Sequence, residues 1–515
     1  MTARIEARSR QSPLASGIIV PAALVAIAAV IRLPALLYAR AIDDEAVYAV
    51  VARVMLAGGL PYRDAIERKP PLLFAVYWAI FGLFGPDNWL ALHGVMLVWV
   101  LLTMLGLFWL VRRLFDTTSG VIAALLYAVL QPWATAKNLA FNGEVLMNLP
   151  LVAAYALALR PRPGGTRAFA AGLLLAIAFL LKQPAAIAAV PLGCYLLFAR
   201  NRAAGVFPRE AIVLGAGFAL VLAATVAVLW WFGILGEAWY WTVADHTVPY
   251  VFWFHGFVHT VLFAIIALPV LLALGWRGRL RIAWRDHGAE FAAVLGWLAV
   301  SVIGASAGGR FYPHYFIQLL PPLGVLTAPV FAMAARAQPR GRWNLASFAA
   351  AWLALGSVIT FAVESVQLRA SAPSPAGLWL RAHSAPGDRI FVWGQQTPLY
   401  LDADRLPASR YIATFPLTGY IFGGAVPGLA TRDRIVPGAW SNLFADFRAH
   451  PPRYIVDTQA SPAAALPFKS PAGIARLAAS DYHAMKDFPQ FAQFVAQHYR
   501  RVAAPGDDVI YERAR

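Results

Sequence analysis

Along the chain, long apolar runs alternate with short polar gaps, and this pattern changes character near residue 366. A helix crossing the hydrocarbon core needs about 20 predominantly apolar residues. Eleven segments approach that length: 16–38, 88–111, 118–135, 145–159, 168–182, 183–199, 211–233, 256–275, 289–306, 315–335 and 344–366. The pattern predicts a polytopic α-helical membrane protein of about eleven transmembrane helices. One further apolar run, Pro70–Gly85, has to be placed either in or beside the membrane.

The arginines place it. If Pro70–Gly85 lies along the interface, alternate gaps gather the basic residues. These are Arg112-Arg113; Arg160, Arg162 and Arg167; Arg200, Arg202 and Arg209; Arg277, Arg279, Arg281 and Arg285; then Arg336, Arg340 and Arg342. Such gaps are expected on the cytoplasmic side. The opposite gaps hold Asp43, Asp44, Glu45, Glu144, Glu237 and Asp245. Pro70–Gly85 therefore reads as a juxtamembrane or partly inserted helix. Arg4, Arg8 and Arg10 precede the first run, which is longer than a signal-peptide core; it reads as a retained helix with a cytoplasmic N-terminus.

An odd number of spans places the remainder of the chain outside the cytoplasm. After Pro373 and Pro375 come a helix-like Gly377–His383 and short β-rich runs at 389–394, 410–413, 453–457 and 508–511. Helical patterns intervene near Ala439–His450 and Phe488–His498. Strands alternating with helices predict a small extracytoplasmic α/β domain. The division expected is a transmembrane domain over 1–366, with a first outward loop at 39–87, and the α/β domain over 367–515. No GxGxxG or Walker pattern opens a helix, and no internal repeat is visible.

Composition supports this reading. Of 515 residues, 60% are hydrophobic and only 13% charged, against roughly 25% charged in soluble proteins. The net charge of +17 raises the question of nucleic acid, but the basic residues sit in topology-setting gaps, so no nucleic-acid partner is expected. The single cysteine, Cys194, excludes an internal disulfide and reads as a small buried hydrophobe.

Chemistry concentrates in the outward gaps. The first loop reads Asp43-Asp44-Glu45-x-x-Tyr48, then Gly58-Gly59-Leu60-Pro61-Tyr62, then Lys69-Pro70-Pro71. Asp43 or Asp44 suits an N-cap, and Val47, Val50, Val51, Val54 and Met55 share one apolar face, which predicts an amphipathic helix on the membrane. A capped helix with solvated acids is the plain alternative, but a lysine held between prolines follows on the same side. The second loop, 136–145, carries Lys137, Asn138, Asn142 and Glu144, and Lys182-Gln183 marks another outward junction. A later loop reads Gly308-Gly309-Arg310-Phe311-Tyr312-Pro313-His314-Tyr315. Arginine, histidine and tyrosines at a helix entrance can grip a phosphate; a snorkelling arginine in an aromatic belt is the bland reading. Together these loops offer a carboxylate to deprotonate a hydroxyl and cations to receive a departing phosphate.

These motifs resemble bacterial membrane glycosyltransferases of the GT-C superfamily, in the dolichyl-phosphate-mannose–protein mannosyltransferase-like group that includes aminoarabinose and galacturonic acid transferases. The likeness spans the membrane part of the chain. It implies transfer of a sugar from a polyprenyl-phosphate-linked donor to a hydroxyl of an envelope glycan, lipid or protein, with inversion, at the outer face of the bacterial inner membrane. By the same resemblance Asp44 matches the proposed catalytic base and Glu144 the second-loop acid. Lys69 matches the lysine near the donor phosphate, joined by Arg310, His314 and Tyr315; Asp43, Glu45 and Tyr48 support the base. A divalent metal bridging carboxylates and phosphate suits such chemistry. However, Arg68 stands where aminoarabinose transferases carry glutamate before the lysine, and Glu144 replaces an aspartate of some relatives. Two other classes compete with this reading: a lipid or glycolipid flippase, with His93 and His259 as its ionisable candidates, and a non-catalytic scaffold.

Overall fold

The computed structural model describes residues 13–133, 135–159, 164–199, 209–244, 253–337, 344–420, 432–460 and 483–514. They fall into two compact units. The first comprises Met1–Ile42, Trp89–Ala227 and Tyr250–Ala370; the second comprises Asp43–Asn88, Val228–Pro249 and Ser371–Arg515.

The first unit is helical. Each of the eleven predicted segments is helical in whole or in part. The expected count is nevertheless corrected: six described helices are long and apolar enough to cross a bilayer, or seven if Gly256–Ile266 and Leu268–Gly275, bent by 79°, form one span. Others fall short because the chain turns early. Thr117–Leu130 has 14 residues, which reach only about 21 Å. The run 183–199 is divided into 3-10, α and π turns after Lys182-Gln183-Pro184. Cys194, expected to be buried, is exposed at the end of one of these short helices.

Helix Leu320–Arg336 lies at the centre of this unit and is buried almost throughout, whereas Arg209–Trp231 exposes most of its apolar side chains, as a lipid-facing helix does. That outer helix crosses Gly164–Leu181 through a pair of glycines. A Cβ at Gly172 would stand 2.0 Å from the carbonyl oxygen of Leu214, and one at Gly217 2.2 Å from that of Phe169. Small residues at a crossing let two backbones touch.

One polar layer is buried in the same unit. Arg32 and Glu364, both fully buried, lie within electrostatic reach of each other. Arg32 donates to the side chain of Gln131, which in turn donates to the carbonyl of Asn138. The Asn138 amide donates to the Trp133 carbonyl at 2.8 Å, and the amide of Ala136 to Gln367 at 3.0 Å. This chain of bonds fastens the loop that leads into Glu144. His93 and His259 each bond a backbone carbonyl, of Ala35 at 2.9 Å and Phe311 at 2.7 Å.

The second unit contains a five-stranded sheet of order β2-β1-β3-β5-β4, with β1 (Arg389–Trp393), β2 (Leu406–Pro407), β3 (Tyr454–Asp457), β4 (Tyr499–Ala503) and β5 (Val509–Arg513). β1 pairs in parallel with β2 and β3; β5 pairs antiparallel with β3 and β4. Helices Pro375–His383, Ala439–Ala449 and Pro489–His498 cover it, close to the predicted positions. One strand expectation needs correction, and β4 is a strand that the pattern does not predict. Residues 410–413 form an irregular buried segment instead of a strand, because Arg410 turns its amide and guanidinium onto Asp446 at 2.7–3.2 Å. β4 lacks apolar alternation and owes its place to the hairpin with β5, where Arg500 faces Glu512.

Candidate functional site

The first-loop helix runs from Glu45 to Leu56 in the second unit. Its sequence is apolar nearly all round, and such a helix is buried instead of lying on a surface. Eight of its residues, including Glu45, Tyr48 and Val51, are buried, which corrects the expected single apolar face. The helix packs on Pro71–Phe84, where the Tyr48 ring meets Phe74 and Tyr77 edge-on at 6.3 and 5.5 Å. Asp44 occupies the N-cap position, but its carboxylate makes no capping bond, another departure from expectation. Instead Asp44 Oδ2 accepts the Tyr48 hydroxyl at 3.2 Å. Asp43, with φ of +53°, turns outward into the exposed surface, and Glu45 is wholly buried in the first turn.

Lys69 meets this cluster from the other end of the loop. Its ammonium lies 5.8 Å from the Tyr48 ring centre, so one tyrosine touches both the acid and the cation. Pro70 and Pro71 set the entry to the next helix, and the Tyr62 hydroxyl donates to the Lys69 carbonyl at 2.8 Å. The ammonium pairs with Glu67 at 3.2 Å. Glu67, two residues before the lysine, is a partner that the sequence expectations omit; a search for an acid within a residue or two of Lys69 could have found it. Burial, then the Glu67 charge, holds the Tyr62 hydroxyl well above its ordinary range, so that phenol stays a proton donor.

The first unit gathers a second cluster. Asn142 caps helix Gly143–Ala158 by accepting from the amide of Val145, which sets Glu144 in the first turn. The Glu144 carboxylate pairs with Lys182 at 2.8 Å, with side chains 1% and 9% exposed. Gly143 makes room for this: a Cβ there would lie 2.8 Å from Lys182 Cδ and 3.0 Å from the Leu181 carbonyl oxygen. The Lys182 ammonium stands 5.1 Å from the Tyr315 ring centre, and His314 acts electrostatically on Glu144. His314 and Tyr315 meet edge-on at 4.9 Å, with Tyr312 stacked on His314 at 5.7 Å. Arg310 is half-buried between Gly309 and Phe311, whose φ angles of +63° and +51° make a tight turn. That turn is held by the His259 bond to Phe311. Lys182 stands out in the sequence only as a helix junction; its pairing with Glu144 is what the fold adds.

Each cluster combines a carboxylate, a lysine and aromatic rings. Among the described residues, no three His, Cys, Asp or Glu side chains gather to hold a metal ion. Glu67 and Glu144 are each paired with a lysine.

Residues 68–231 match the sequence model of the family described as dolichyl-phosphate-mannose-protein mannosyltransferase. Curated protein sequences give no match. Among solved structures, ArnT from Cupriavidus metallidurans bound to undecaprenyl phosphate is similar with a TM-score of 0.57 and 16% identity, over 95% of this chain and 97% of that one. The Archaeoglobus fulgidus oligosaccharyltransferase tethered with an acceptor peptide is similar with a TM-score of 0.52 and 15% identity, over 96% and 74%. The same archaeal enzyme in complex with zinc and sulfate gives 0.50 and 14%, over 96% and 73%. The multi-pass helical unit and the C-terminal mixed sheet are thus the fold of these proteins. Over residues 68–231 the chain is thus similar to the dolichyl-phosphate-mannose-protein mannosyltransferase family, and over nearly its whole length it shares the fold of these solved structures.

Proposed function

We propose that the protein moves a sugar from a polyprenyl-phosphate donor to a hydroxyl of an envelope acceptor (glycan, lipid or protein) at the outer face of a bacterial inner membrane. The arginine-rich gaps support that orientation. The observation that carries the reading is Tyr48, whose hydroxyl meets Asp44 while its ring meets Lys69. Asp44 accepts the proton of the acceptor hydroxyl as that oxygen attacks the anomeric carbon from the face opposite the phosphate. The bond from that carbon to the phosphate oxygen breaks, and the polyprenyl phosphate leaves with the electron pair. A sugar hydroxyl is a weak nucleophile, so a positioned base is worth about 10²–10⁴ in rate.

Lys69 is the phosphate contact of the first-loop unit, and Arg310, His314 and Tyr315 are those of the membrane unit. Beside the catalytic role that the resemblance implies for Glu144, its carboxylate keeps Lys182 in place as an additional cation. Asp43 and Glu45 support the start of the helix. The C-terminal domain lies on the same outer side.

Mass spectrometry of envelope glycolipids and glycans from cells with and without the protein should reveal one added sugar and its acceptor. Asp44→Asn should abolish that product while the protein accumulates normally in the membrane; parental product from this variant removes Asp44 from the mechanism. A flippase would use ionisable residues inside the spans, and Arg32 with Glu364 are such residues. Movement of labelled glycolipid across proteoliposomes without covalent transfer would favour that second reading.

A further inference from the structure

Helix Glu45–Leu56 carries Asp44 at one end and Arg53 in its last turn. Arg53 is a largely buried guanidinium, 13% exposed, that meets two aspartates at once. One of its terminal nitrogens lies 3.0 Å from Asp87 and the other 2.5 Å from Asp404. Asp87 sits in the turn after helix Pro71–Phe84, and Asp404 ends helix Pro398–Ala403. Both aspartates hold left-handed backbones, with φ of +55° and +54°. Aspartate and asparagine tolerate that region better than other side chains, so both positions combine a required acid with a required turn.

A second fastening holds the rest of the loop. The amide of Ile66 donates to the carbonyl of Arg410 at 2.9 Å, and the Arg68 guanidinium stands 4.4 Å over the Phe415 ring. Arg410 is itself fixed by Asp446. All these residues belong to one compact unit.

From this geometry we propose that Arg53 is a positioning residue for transfer, a two-aspartate clamp through which the C-terminal segment sets the axis of the helix that presents Asp44. The catalytic consequence rests on the reading of Asp44 as base. Asp44 lies about 13 Å along the helix from Arg53, so a tilt of about 5° at the clamp moves the carboxylate by about 1 Å. Misplacement on that scale can cost about 100-fold in rate. Lysine replaces Arg53 only in part, because a single ammonium lacks the fork that spans both acids.

The test uses the full-length protein in detergent or nanodiscs, with no ligand. In Arg53→Gln, amide exchange should rise together in residues 45–56 and 398–405, with the melting temperature of the chain little changed. Product per membrane-inserted protein, read by envelope mass spectrometry, should fall on the order of tenfold or more, and Arg53→Lys should recover only part of it. Asp404→Asn, which keeps the left-handed turn and removes one charge, should show the same coupled exchange and guards against a misfolded arginine variant. Exchange that rises in the helix alone, or product at the parental level, overturns the clamp. If Asp44→Asn retains transfer while Arg53→Gln shows coupled exchange and loses product, the base assignment fails and the clamp stands.

Discussion

The pair Glu144–Lys182 offers a direct measure of how much the second cluster depends on buried charge. At 2.8 Å and with both side chains under 10% exposed, the Coulomb attraction is about 6 kcal/mol at an effective dielectric of about 20. Desolvation of both ions offsets much of that. Removing one partner alone strands the other, which typically costs about 3–5 kcal/mol. Removing both leaves two neutral side chains of similar volume, so the double variant should lose less than the sum. Glu144→Gln, Lys182→Met and the double variant, unfolded by SDS titration in mixed micelles, form the cycle. We expect a coupling of about 2–3 kcal/mol, and each single variant should also lose transfer. Losses that add to within about 0.5 kcal/mol would show that the ion pair contributes nothing specific, and the role given to Glu144 would fall with it.

Three further outcomes follow from the geometry. Tyr48→Phe removes the hydroxyl from Asp44 but leaves the ring beside Lys69; product formation should fall about tenfold at unchanged expression, and parental turnover would sever Tyr48 from the site. Gly143→Ala forces a methyl group against Lys182 and the Leu181 carbonyl, so SDS unfolding should show a loss of about 1–3 kcal/mol together with lost transfer. In the sheet, burial pushes the Asp457 carboxyl up to about 6, with Asp508 adding to the shift. Because the folded value lies above the unfolded one, the folded state binds the proton more tightly; its contribution is full below about pH 4 and is lost as pH rises through about 6. Protection of β3 amides, corrected for intrinsic exchange, should therefore weaken by up to about 3 kcal/mol across that window. Asp457→Asn should flatten the trend, and an unchanged slope would refute the cause.

The membrane helices are legible in the sequence because apolar runs and arginine gaps follow from the cost of burying charge in lipid. Their lengths are less so: Thr117–Leu130 and the broken run 183–199 end where local turns intervene, and a run of apolar residues looks the same whether or not the backbone turns within it. The first-loop helix is equally visible, but a single apolar face understates it, because Ala46, Tyr48, Ala49 and Ala52 complete the circle and are buried. Asp44 and Lys69 can be singled out by type and position. Pairings cannot: Lys182 with Glu144, Lys69 with Glu67 and Arg53 with its two aspartates depend on tertiary contact. β4 is hidden because its side chains carry no alternating pattern and its hairpin partner fixes it.

The buried Arg32–Glu364 layer has a consequence for biogenesis. Arg32 lies in helix Pro13–Leu37, which leaves the ribosome well before helix Leu345–Ala370 with Glu364. During synthesis the arginine must therefore enter the bilayer before its acid exists. An arginine at mid-helix costs a few kcal/mol at insertion, and this one, near the end of its helix, can snorkel to the headgroups until Glu364 arrives. Completion of helix Leu345–Ala370 would then draw helix Pro13–Leu37 inward, so that the order of translation sets when the loop leading into Glu144 acquires its final shape.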